Sequence, residues 1–218
     1  MRMAAFATAV RGLVAPGLAD LARSAPELEL TLVERDPADA VELVVSGQVD
    51  LAVVHNWVGV PLHLPAGLDM RPVGEDVADV LVHRSHPLAG ASSLTPEQLV
   101  GERWAVTPAG TICHAWFVHM FAGFSQAPTV RYWTPDFSSQ VALVEATTAV
   151  ALVPRLGRGV LPDAVVAVAV HDPVPTRQVL VVTRSTMASS PALRHISDLL
   201  VTSARARVGT RTSLTRVV

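Results

Sequence analysis

The chain has 218 residues and a mass of 23.1 kDa, half of it apolar and 17% charged, which gives room for one large domain or two small ones and excludes intrinsic disorder. Its net charge of −2 excludes the overall basic balance of a self-sufficient nucleic-acid binder. Cys113 is the single cysteine, so no internal disulfide forms and the cytosol is the expected compartment. The N-terminus meets Arg11 before an apolar run develops, so no signal peptide is expected, and runs such as Val165 to Val170 are strand-sized, well short of the roughly 18 residues of a membrane span.

Taken in order, Arg2 to Ala7 reads as a strand, and Val10, Val14, Leu18 and Leu21 then recur at helical spacing. Leu28 to Glu34 alternates as a second strand. Asp36-Pro37 supplies an N-cap with proline behind it for a helix over about 37–46 that stops at Gly47. Val49 to Val54 is an almost wholly apolar third strand, of the kind buried in a parallel sheet. Strands follow at about 68–74 and 77–83, and Thr95-Pro96-Glu97-Gln98 is a capping box opening a short helix. The spacing then predicts a strand over Arg103 to Val106, a helix over 112–123, a strand over Thr129 to Trp133, and a helix over Asp136 to Ala146. Strands over Ala149 to Val153, Val165 to Val170 and Thr176 to Thr183 come next, before a last helix opened by Ser190-Pro191. Alternation of strand and helix is an α/β layer pattern.

The order of these pieces resembles the effector-binding domain of LysR-type transcriptional regulators. The resemblance rests on Phe6-Ala7-Thr8 entering a helix, on Ser24 to Leu30, and on Leu43 to Val54 with Gly47, Asp50, Leu51 and Ala52 in the family's pattern. It continues in His86-Pro87-Leu88-Ala89, in Leu94 to Leu99, and in Val144 to Pro154, where Thr148 and Val150 stand near the family's glycines and a looser helix-to-strand turn is expected. It implies a two-lobed fold like the type 2 periplasmic binding proteins, each lobe a mostly parallel sheet flanked by helices, the two joined by two crossover strands. The implied division is 1–75 with 174–204, then 76–173, then a flexible tail over 205–218. The family's N-terminal winged helix-turn-helix would lie outside this sequence. A homodimer or tetramer is implied, with the helix over about 9–23 packed against the helix over 137–146 of a second copy, and with DNA reached only through the absent domain.

Ligands of open α/β sheets sit beyond the carboxyl ends of strands, which selects Thr8, then His55, Asn56 and Trp57, then Thr107, Gly110 and Thr111, and then Phe137 and Ser138 after Asp136. Three helix N-termini would face one cleft, with Trp57 and Phe137 as apolar walls. The expected effector is a small carboxylate or a polar aromatic. No arginine lies in these loops, although Arg155 near a strand end is within reach. Each residue also has a plainer role: Thr8, Asp136 and Ser138 suit helix caps, Trp57 suits a core cover, and Asn56 suits bonding to its own backbone.

Enzyme and metal patterns are weaker. Cys113 and His114 are adjacent and so point to different sides of a helix, His114 and His119 are five apart, and His83 and His86 lack a carboxylate at ligand spacing. Gly157-x-Gly159 lacks a third glycine. No metal or cofactor is expected. The reading is therefore an effector sensor rather than an enzyme, with a transporter's solute-binding protein as the first alternative. The second is an enzyme on the same fold using His55 or Asp136.

Overall fold

A computed structural model describes residues 1–209, with side chains through 205. The strands are β1 (Arg2–Ala5), β2 (Thr31–Glu34), β3 (Leu51–Trp57), β4 (Leu68–His83), β5 (Ser93–Leu94), β6 (Arg103–Val106), β7 (Thr129–Trp133), β8 (Val150–Pro154), β9 (Val165–Val170) and β10 (Thr176–Arg184). The α-helices are α1 (Ala7–Ala9), α2 (Ala15–Ser24), α3 (Pro37–Val45), α4 (Pro96–Leu99), α5 (Ile112–Met120), α6 (Phe137–Ala146) and α7 (Pro191–Gly209). The expected tail over 205–218 is helical through Gly209, and its remainder lies outside the described residues.

The chain divides into two compact units. One comprises Met1–His55, Leu62–Glu75 and the chain from Gln178, and the other Asn56–Pro61 with Asp76–Arg177. The divisions thus fall inside β3, β4 and β10.

In the first unit the strand order is β2-β1-β3-β10, with β1 parallel to both β2 and β3. Ala40, Val41 and Val44 of α3 pack on Ala4, Ala52, Val54, Leu180 and Val182. Gly47 ends α3 with φ +73°, as the sequence predicts. Asp36 holds the N-cap position without a side-chain cap bond. Between α1 and α2 the helix widens into a π turn over Val10–Val14, two residues before Pro16. Proline has no N–H and its ring crowds the carbonyl four residues back, and widening relieves both.

The second unit has the order β4-β8-β6-β7, with β9 beside β4 and β5 beside β9. β6 runs parallel to β7 and β8, while β4 is antiparallel to β8 and β9. Alternation divides its core by face. Val80, Val82, Trp104, Val150 and Val168 join Trp116, Phe117 and Phe121 on one side, and Leu81, Ala105 and Ala151 join Val144 on the other. The looser turn expected near Thr148 is tied by Thr147, whose hydroxyl donates to the Leu143 carbonyl at 2.6 Å and accepts from the Ala149 N–H at 3.0 Å.

Several expectations are corrected. The two strands at 68–74 and 77–83 are one, β4, which runs through Pro72 and Gly74; a proline is tolerated where its missing N–H serves no ladder partner. His55, Asn56 and Trp57 belong to β3 rather than to a loop after it. β2 starts at Thr31, not Leu28, and the helix at 112 ends at Met120.

Candidate functional site

In the second unit, β6 ends at Val106 and the chain turns through Thr107 to Gly110, whose φ of +91° suits glycine. Thr111 is the N-cap of α5, its hydroxyl accepting from the His114 N–H at 3.2 Å and lying 3.0 Å from the Thr107 hydroxyl. β7 leads to Asp136, the N-cap of α6, which accepts from the Ser138 and Ser139 N–H groups at 3.2 and 2.9 Å. One turn later Gln140 is 1% exposed, and its amide nitrogen donates to the Thr134 carbonyl at 3.1 Å.

These elements enclose a hollow lined by Trp57, Ala105, Val106, Thr107, Cys113, Phe117, Phe137, Gln140 and Leu152. Its volume is about 20 Å³, room for about one water molecule. Trp57 is buried and tilted against Trp116, with ring centroids 5.1 Å apart.

Of the residues the sequence singles out, Trp57, Thr107 and Phe137 come together in this hollow. Asn56, Gly110, Thr111, Ser138 and Arg155 share the unit but not the lining. Thr8 and His55 belong to the first unit. There Thr8 is buried inside α1, whose N-cap is Phe6 rather than Thr8, and buried His55 meets the Phe6 ring edge-on at 4.6 Å.

Arg155 is committed elsewhere. Its Nε and Nη2 donate to the two oxygens of Asp79 at 2.9 and 2.6 Å, and Arg158 Nη1 adds a third bond at 2.8 Å. Burial pushes the Asp79 carboxyl up, but the bonds and charges of the two guanidiniums outweigh it and hold it below the ordinary carboxylate value. The same contact holds Arg155 above its own ordinary value. Sequence reasoning missed a second buried pair, in which Arg177, fully buried, donates from Nε and Nη2 to Asp76 Oδ2 at 3.0 and 2.8 Å. The Leu156 N–H donates to Asp76 Oδ1 at 2.9 Å, and the guanidinium carbon of Arg177 lies 5.6 Å from the centre of the Trp57 ring.

Gln140 was also missed, although i, i+3 spacing puts it on the face of α6 that carries Phe137. Among the described residues no group of three or more His, Cys, Asp or Glu side chains could hold a metal ion. His83 and His86 have local partners instead, the first with Ser85 and the second with the Leu88 N–H and Glu102.

Residues 1–205 match the LysR substrate binding domain family. The chain belongs to that family. Among relatives of this LysR domain, the small neutral protease regulatory protein of Streptomyces lividans is 34% identical over 173 residues, 77% of this chain and 49% of that protein. The HTH-type transcriptional regulator CatR of Pseudomonas putida is 30% identical over 153 residues, 68% of this chain and 50% of that one. The chain spans about half the length of the curated relatives it matches.

Solved structures share its fold at low identity. The BenM effector binding domain with its effector benzoate superposes with a TM-score of 0.81 at 16% identity, covering 100% of this chain and 97% of that one. The CcmR regulatory domain of Synechocystis PCC6803 in complex with 2-PG gives 0.80 at 17%, covering 94% and 97%. The architecture is thus the α/β, type 2 periplasmic-binding-protein-like fold. Among the described residues no helix is long and apolar enough to cross a membrane.

Proposed function

We propose that this LysR domain senses a small organic effector for a transcriptional regulator, seating part of it in the hollow of the second unit. The observation that carries the reading is the gathering of Trp57, Thr107 and Phe137 around one hollow at the end of β6 and the start of α6, the position favoured for ligands in open α/β sheets. Solved relatives described with benzoate, 2-PG and shikimate support it. A hollow of about 20 Å³ admits an organic group only when a neighbour moves. Cys113, Phe137 and Leu152, which are only partly buried, are the neighbours able to yield. Ligand entry is therefore coupled to rearrangement, as a sensor requires.

The effector is a small carboxylate or a polar aromatic, and Asn56, Gly110, Thr111, Ser138 and Arg155 of the same unit remain proposed members of its surroundings. The domain binds without chemistry, works in the cytoplasm as a dimer or tetramer, and meets DNA through a separate N-terminal domain. Native mass spectrometry against a panel of aromatic and aliphatic carboxylates tests this. Uptake of one small acid per chain, weakened by Phe137→Ala, is the expected result. A chain that retains no member of the panel overturns the reading.

A further inference from the structure

The nine residues lining the hollow include no formal charge. Six of them, Trp57, Ala105, Val106, Phe117, Phe137 and Leu152, are apolar, and three of those six are aromatic. Arg177, the cation beside Trp57, is held by Asp76. The polar member fixed most firmly is Gln140. Because its nitrogen donates to the Thr134 carbonyl, its amide cannot flip without setting two carbonyl oxygens against each other. With the nitrogen taken by Thr134, Oε1 is the side-chain atom of Gln140 left to receive a donor from the hollow that this residue lines. An amide oxygen is an acceptor only.

Resting on the effector reading above, we infer that the group seated in this hollow is an uncharged ring bearing a hydrogen-bond donor, such as a phenolic hydroxyl, and that Gln140 Oε1 selects it. A carboxylate there would meet a fixed acceptor with no cation in the lining, and would lose its hydration without replacement. Any acidic group of the effector therefore lies outside this hollow. The aromatic walls favour a flat ring, through offset or edge contacts. Thr107, whose hydroxyl both donates and accepts, fits either partner.

The test uses three ring-bearing probes on the ¹⁵N-labelled chain at neutral pH: phenol, anisole and benzoate. The Trp57 indole and Gln140 side-chain amide signals locate binding to the hollow. Phenol is expected to shift both and to bind about tenfold tighter than anisole, the factor one hydrogen bond supplies, with benzoate weakest. Gln140→Leu should bring phenol and anisole together. Benzoate or anisole binding in the hollow as tightly as phenol overturns the donor inference and leaves the effector reading standing. If neither these probes nor any acid of the wider panel shifts the two signals, both fall. The comparison among probes on the unaltered chain stands even where Gln140→Leu does not fold.

Discussion

Trp57 and Trp116 lie with their ring planes 33° apart, and the Trp116 indole N–H donates to the Val58 carbonyl at 3.1 Å. The two contacts pin the turn after β3 onto α5, so the wall of the hollow contributed by Trp57 depends on that turn keeping its shape.

Gly59 is where the turn is most constrained. Its φ is +85°, and a Cβ there would come within 2.6 Å of His119 Nε2. The exposed imidazole can swing aside, but the backbone cannot. Gly59→Ala is expected to cost about 1–2 kcal/mol from the left-handed conformation, measured by urea unfolding. Adding His119→Ala should recover little of it; full recovery would show that the contact, not φ, sets the cost.

Asp136 orders the first turn of α6, which carries both Phe137 and Gln140. Loss of an N-cap of this kind typically costs about 1 kcal/mol. Asp136→Ala should lower stability by that amount and weaken ligand uptake as well, since two lining residues hang from the frayed turn. Asp136→Ser, which keeps a capping oxygen, should recover most of both in paired melting and titration experiments.

The buried pair Asp76–Arg177 is expected to be costly to break from one side. Asp76→Ala removes two charge-assisted bonds from a fully buried guanidinium, a change of about 3–5 kcal/mol. Denaturant unfolding measures it. A loss below about 1 kcal/mol would mean that another group takes over the charge.

Asp79 predicts an acid-sensitive term. Its folded carboxyl sits below the ordinary value of 3.8, so above that value it is ionised in both states and its contribution to stability is complete. As pH falls below about 4 the unfolded chain takes up the proton first, and the contribution is lost through the folded value. Asp79→Asn should therefore be less stable than the parent at pH 6, with the difference shrinking toward pH 2. A difference independent of pH would refute the assignment.

Much of the fold was legible in the sequence. β6, β7 and β9 fall on the predicted residues because each is a short apolar or alternating run bounded by turn residues. Pro72 and Gly74 carry the usual marks of a break, so the sequence predicts two strands where β4 is one, and only pairing with other strands overrides those marks. The strand-end rule led to Trp57, Thr107 and Phe137. Gln140 escaped because a polar residue in a helix looks like part of a solvent face until the packing beneath it is known. The Asp76–Arg177 contact joins residues 101 apart, and no local pattern announces such a partner.

The lining of the hollow divides into positions the fold depends on and positions it can spare. Trp57, Ala105 and Phe117 belong to the buried clusters, whereas Cys113, Phe137 and Leu152 only border them. Substitutions at those three disturb the buried clusters less than substitutions at Trp57, Ala105 or Phe117, so the wall that meets a ligand can change while the scaffold persists, and the same architecture recurs in solved structures at 13–18% identity.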